Sequence, residues 1–148
     1  MERLRAAYLF SFTKLVKWPS STETKPFTFC FVGARGVRDA LVSGTAGRTL
    51  GIRPIATRTI SATASQDGCQ VLYVESSALD RVLAPNPGAS VLTVGDAERF
   101  TQQGGILALF EDHSDLRFDV NLSNARLAGI SIGPELIAAA AHVDGAGK

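Results

Sequence analysis

Short apolar runs separated by polar stretches bearing glycine or proline recur along the chain, and their periods predict alternating helices and strands. Leu4, Tyr8, Phe12, Leu15 and Val16 repeat at helical spacing with no intervening glycine or proline, which predicts a helix over Leu4 to Lys17. Phe10 falls off that stripe, so the helix is expected to bury two faces. Trp18-Pro19 stops it, because proline cannot continue the hydrogen-bond ladder. Ser20 to Lys25 reads as a polar loop, and Phe27 to Val32 as a strand apolar on both faces, closed by Gly33. A short helix is predicted over Val37 to Val42, broken by Gly44 to Gly47. Ile52 to Ile60 alternates as a half-exposed strand does, with Pro54 placing it near a sheet edge. After the polar loop Ser61 to Gly68, Cys69 to Val74 is a second buried strand.

Farther on, Ser77 caps a predicted helix from Ala78 to Leu83, with Pro85 and Pro87 beyond its end. Ser90 to Val94 is a strand, and Asp96 caps a short helix through Arg99 and Phe100. Ile106 to Phe110 and Leu116 to Val120 form a hairpin about the polar turn Asp112-His113-Ser114-Asp115. Asn121 to Leu127 is helical, Pro134 opens a last helix over Glu135 to His142, and Asp144 to Lys148 is a frayed tail. Strands alternating with helices predict an α/β fold, a mixed and mostly parallel sheet flanked by helices on both faces. The C-terminal antiparallel hairpin is expected at its edge. With 148 residues and no repeat or linker, the chain is read as one domain, 1–148, with an ordered core over about 4–143.

Composition narrows the function classes. The net charge of +1 carries no clustered basic face, which speaks against nucleic acid. No run approaches the roughly 20 apolar residues of a membrane span, so direct membrane insertion is not expected. Met1 to Arg5 does not open a secretory leader, since no apolar core with a small-residue cleavage site follows. Both a cytosolic protein and an exported one written without its leader remain open.

The two cysteines sit in or at the start of strands. Neighbouring strands lie about 4.8 Å apart, and a disulfide spans Cα separations of roughly 4.4 to 6.8 Å, so Cys30 and Cys69 on adjacent strands could be bridged. Two separate buried thiols are the other reading, because free cysteine is itself often buried. The redox compartment decides between them.

Candidate chemistry is sparse. His113 and His142 have no cysteine, histidine or carboxylate pair at metal-ligand spacing and read as surface residues. Gly33-Ala34-Arg35-Gly36-Val37-Arg38-Asp39 lies between a strand and a helix, where backbone amides favour anions. It lacks the third glycine of a dinucleotide fingerprint and the lysine of a P-loop, and so reads first as a tight turn. Arg117, Asp119 and Asn121 share one face of the hairpin strand. That trio could bind a ligand, or tie the strand end to the following helix. No catalytic residue, metal ligand or cofactor-binding residue is assigned, and no enzyme activity is expected.

Taken together, six segments in order resemble the YfiR-like periplasmic proteins. They are Tyr8 to Pro19, ending in Trp-Pro; Phe29-Cys30-Phe31-Val32-Gly33; Cys69 to Val74; Val91 to Asp96 with Phe100 and Gly104-Gly105-Ile106; Arg117 to Leu122; and Ala128 to Ile132. Departures are the short Ala34-Arg35-Gly36 segment and the Ile132-Gly133-Pro134 start of the last helix with its alanine run. A second cysteine pair that some members carry is absent. The resemblance implies an exported protein of the periplasm with Cys30 paired to Cys69, acting by binding and needing no cofactor. It implies docking on the periplasmic domain of an inner-membrane diguanylate cyclase, which is held inactive, and association as a homodimer. A sensor kinase as partner, a small-ligand sensor using Arg117 and Asn121, and a cytosolic nucleotide binder using the Gly33 turn are the alternatives.

Overall fold

A computed structural model describes residues 1–19, 25–82 and 89–145 of the chain. Helix α1 (Glu2–Leu15) leads into a two-residue strand β1 (Val16–Lys17), then β2 (Phe27–Val32) and α2 (Arg35–Thr45). Strands β3 (Thr49–Leu50), β4 (Arg53–Thr59), β5 (Val71–Val74) and β6 (Leu92–Gly95) follow. The hairpin β7 (Leu107–Asp112) and β8 (Asp115–Asn121) comes next, then α3 (Leu122–Ala128), β9 (Ser131–Ile132), α4 (Pro134–Ala139) and β10 (His142–Asp144). Two 3-10 turns, Ser76–Ala78 and Glu98–Gln103, follow β5 and β6.

The main sheet runs β10-β8-β7-β6-β5-β2-β4-β3. Its centre is parallel, and only the β7–β8 and β3–β4 pairs are antiparallel. The expected α/β class with a mostly parallel sheet and a C-terminal hairpin is what the chain adopts. The two-residue period of a strand divides each run between two cores. Phe27, Phe29, Phe31, Val71, Tyr73, Leu92, Val94, Leu107 and Leu109 face the side covered by the α-helices. Cys30, Val32, Leu72, Val74, Ala108 and Phe110 face the other, covered by the 3-10 turns and loops. Among the described residues this second face carries 3-10 turns and loops and no α-helix.

Several boundaries differ from the sequence reading, each for a local reason. Helix α1 ends at Leu15 rather than Lys17, because the Leu15 carbonyl accepts the Gly133 N–H at 2.8 Å and Val16–Lys17 pairs antiparallel with β9. Its buried stripe is Ala6, Leu9, Phe12, Thr13, with Val16 beyond its end, while Leu4 is exposed and Tyr8 half-buried. The Tyr8 hydroxyl reaches the Leu116 carbonyl at the rim. Helix α2 runs through Gly44 to Thr45, held by buried Leu41 and Thr45.

The second cysteine-bearing strand starts at Val71, leaving Cys69 in the turn before it. The predicted Ala78 to Leu83 helix is replaced by the 3-10 turn Ser76–Ala78; its final residue and the following prolines lie outside the described residues, as does most of the predicted Ser20 to Lys25 loop. Asp96 does not cap the next turn, which starts from Ala97. The last helix stops at Ala139, and His142–Asp144 adds β10 parallel to β8, so the hairpin is not the sheet edge. Of the predicted frayed tail, Asp144 belongs to that strand and 146–148 lie outside the described residues.

Candidate functional site

Cys30 and Cys69 are bonded, with Cα atoms 5.8 Å apart, at a sequence separation of 39. Both are buried, Cys30 wholly so, within the second core. Because Cys69 precedes β5, the bond is not a rung between neighbouring strands. It pins the β4–β5 connection down onto the sheet, where Ile60 and Ala62 pack against the same cluster. Gly68, at φ +82°, makes the reversal that aims Cys69 inward. The cross-link therefore does on this face what helices do on the other.

The carboxyl ends of β2, β5 and β6 carry a polar cluster that the spacing of residues did not reveal. β2 is flanked by β4 on one side and β5 on the other, so the crevice between β2 and β5 is a topological switch point, where open α/β sheets receive ligands. Here the protein fills it with its own carboxylates. Glu75, just past β5, accepts the Ala34 N–H at the start of α2 at 2.5 Å and a hydrogen bond from the Ser77 hydroxyl. These two bonds, the Ser77 one first, hold its pKa below the usual 4.5. A side chain at Gly36 would meet the carboxylate of Glu2 in the same way that one at Gly33 would meet Glu75. The anion position of the Gly33 to Asp39 turn is thus occupied, and a nucleotide phosphate there would face two carboxylates.

Beside it, Arg5 of α1 spans three strands. Its guanidinium donates to the Leu109 carbonyl at 3.2 Å and to Glu111 at 3.3 Å, and approaches the Tyr73 hydroxyl at 3.5 Å. Tyr73 is fully buried, and burial followed by the neighbouring Asp96 pushes its pKa up to about 12, so it remains a hydrogen-bond donor. Burial also raises the Asp96 carboxyl above its ordinary 3.8, against the pull of Arg5 and of hydrogen bonds from Ser76. Its Oδ1 is buried without a hydrogen-bond partner among the described residues. Arg5 and Asp96 have no short-range signature, since the partners of Arg5 are 68 to 106 residues away.

Arg117, Asp119 and Asn121 lie on one face of β8 as their alternation requires, yet each is engaged separately. Arg117 is half exposed and pairs with Asp112 at 3.1 Å. Asp119 is buried and bonds His142 Nδ1 of β10 at 2.8 Å. Asn121 caps α3, accepting the Asn124 N–H at 3.0 Å and donating to the Thr101 carbonyl at 3.1 Å. They hold the strand to its neighbours rather than converging on one space. His113 stands exposed in the hairpin turn, where it and Ser114 both have positive φ, as a two-residue I′ turn needs. Among the described residues no group of three or more His, Cys, Asp or Glu could hold a metal ion, and no helix is long and apolar enough to cross a membrane.

A family model described as YfiR/HmsC-like matches residues 2–141. Among solved structures, a conserved domain protein from Vibrio cholerae O1 biovar El Tor is similar with a TM-score of 0.63 at 13% identity, over 97% of this chain and 60% of that one. The ABC domain in complex with L-Trp from Streptococcus pneumonia is similar with a TM-score of 0.58 at 12% identity, over 96% of this chain and 60% of that one. The chain spans about 60% of the length of either structure, and at these identities the likeness is one of fold. No curated protein sequence matches.

Proposed function

The chain belongs to the YfiR/HmsC-like family, and from that membership we propose that it is a periplasmic regulator that represses an inner-membrane diguanylate cyclase by docking on the cyclase's periplasmic domain. At family level the role is regulation of cyclic di-GMP signalling in the periplasm, and the Cys30–Cys69 bond is consistent with an oxidising compartment. The observation that carries the reading is the match over residues 2–141, nearly the whole chain. A rigid, cross-linked sheet is suited to the task, because such a repressor works by shape. It must bind the inactive form of its target more tightly than the active one. A swing in output from 1:99 to 99:1 requires about 5.5 kcal/mol of that preference.

The test is co-expression with the membrane protein encoded beside it, followed by capture through that protein's periplasmic domain and measurement of cyclic di-GMP in cells with and without this chain. Capture together with higher cyclic di-GMP on deletion is the expected result. No association with any sensor-type membrane protein, and unchanged cyclic di-GMP, would overturn it. If the captured partner is a histidine kinase, the sensor-kinase alternative replaces the cyclase. Homodimerisation is part of the proposal and is read from sedimentation of the oxidised protein.

A further inference from the structure

We propose that the groove between α1 and α2 binds a small amphipathic carboxylate, a fatty-acyl anion whose chain lies along the two helices and whose head group meets Lys14 and Arg48. The groove has a volume of about 680 Å³, within the usual range for small-molecule sites. The apolar part of its walls is mostly small, Ala6, Ala7 and Phe10 from α1 and Ala40 and Leu41 from α2, with serine and threonine hydroxyls between them. Between Arg3 and Lys14 the first helix rises about 16 Å, a length suited to an extended chain rather than a compact ring.

Gly44 carries the argument furthest. It is the penultimate residue of α2 and lines the groove, a position where alanine would be the better helix former. Neither of the usual reasons for a helical glycine applies. Its φ is not positive, and an added Cβ would meet no atom within 4 Å. The other glycines with such open space, Gly47, Gly51 and Gly104, all have positive φ, which explains them. At Gly44 the missing side chain leaves the groove open beside the end of α2.

The charge has a direction. Glu2 lies against Gly36, so the helices start side by side, while Lys14, in the last turn of α1, and Arg48, three residues past α2, line the groove away from those starts. At the near end Arg3 shares the lining with Asp39, whose carboxylate is paired with Arg38 at 3.0 Å. Lys14 and Arg48 line the groove without an ion pair among the described residues, and the Lys14 ammonium stands 4.9 Å from the centre of the Phe10 ring. A largely apolar trough lined by two cations that have no ion pair among the described residues is complementary to a chain with one acidic end.

Isothermal titration of the oxidised chain with decanoate, below its micelle concentration, tests this, with decyltrimethylammonium as the probe of equal chain and opposite charge. Saturable one-to-one binding of decanoate alone is expected, weakened at least tenfold by Gly44→Leu, which fills the groove, and by the double variant Lys14→Glu/Arg48→Glu. Because all three positions are exposed, both variants are expected to melt no more than a few degrees from the parent, which circular dichroism checks. Absence of decanoate binding, equal binding of the cationic probe, or binding untouched by either variant would overturn the proposal. So would a dimer of the parent chain that Gly44→Leu dissociates in sedimentation, since that assigns the groove to a second copy.

Discussion

The carboxylate of Glu75 occupies the space where a side chain at Gly33 would begin: a Cβ there would fall 1.9 Å from Glu75 Oε2. Gly33 also sits at φ +71°, and Ala34 after it is left-handed at φ 53°. The strand-to-helix turn is thus closed by an internal carboxylate on the first amides of α2, which is what a helix start favours.

Gly33→Ala combines a positive φ with that encounter and is expected to cost about 1–3 kcal/mol. Chemical denaturation reads it as a lower midpoint with unchanged slope. Glu75→Ala alone loses the bonds to Ala34 and Ser77, so the contact is read from the double-mutant cycle: the two costs are expected to be less than additive, and strictly additive costs would contradict it.

The Cys30–Cys69 bond closes a loop of 39 positions. The chain-entropy relation assigns such a closure about 4 kcal/mol. Reduction, or Cys30→Ser in oxidised protein, is expected to lower the melting temperature by about 10 °C, at about 2–4 °C per kcal/mol for a chain of this size. Calorimetry with and without reductant measures it, and coincident curves would remove the structural role of the bond.

Glu75 and Asp96 impose opposite pH dependences. Glu75 has a folded pKa below its ordinary 4.5, so its contribution is present above that value and is lost as pH falls through the folded pKa. Asp96 has a folded pKa above its ordinary 3.8; the folded chain then binds the extra proton, and stability declines as pH rises from 3.8 through the folded value before levelling off. Urea midpoints followed across the acid range should show a shallower acid loss in Glu75→Gln and a shallower decline on the rising side in Asp96→Asn. Parallel profiles in all three proteins would count against both assignments.

Asn121→Ala removes the cap of α3 and the bond to the Thr101 carbonyl. A loss of about 1 kcal/mol is expected from the cap, with faster amide exchange confined to Leu122–Ala128 and the turn that contains Thr101. Weakened binding of a small metabolite at unchanged stability would instead return Asn121 to a ligand role.

Much of this architecture is written in local pattern. The buried runs Phe27–Val32 and Val71–Val74, the hairpin about His113 and Ser114, and the half-exposed strand bearing Pro54 follow from period-two alternation, apolar composition and turn chemistry, which act over a few residues. The pairing of the two cysteines was open on spacing alone and became an expectation only through family resemblance. Strands of two or three residues, β1, β9 and β10, are too short to carry a period, so their existence depends on the partner strand that receives them. The shift of the α1 stripe was likewise set by what packs on it.

By itself, then, the chain determined which segments are helix or strand in its core and that two apolar faces must be covered, because those choices are made by near neighbours. Tertiary structure alone decided that Cys69 stands outside its strand, that Glu75 plugs the crevice beside Gly33, and that Arg5 meets Glu111. Those contacts join residues 39 to 106 positions apart. Hydrogen bonds and charge pairs of that kind depend on where the folded sheet brings the chain back, and no local spacing encodes the return.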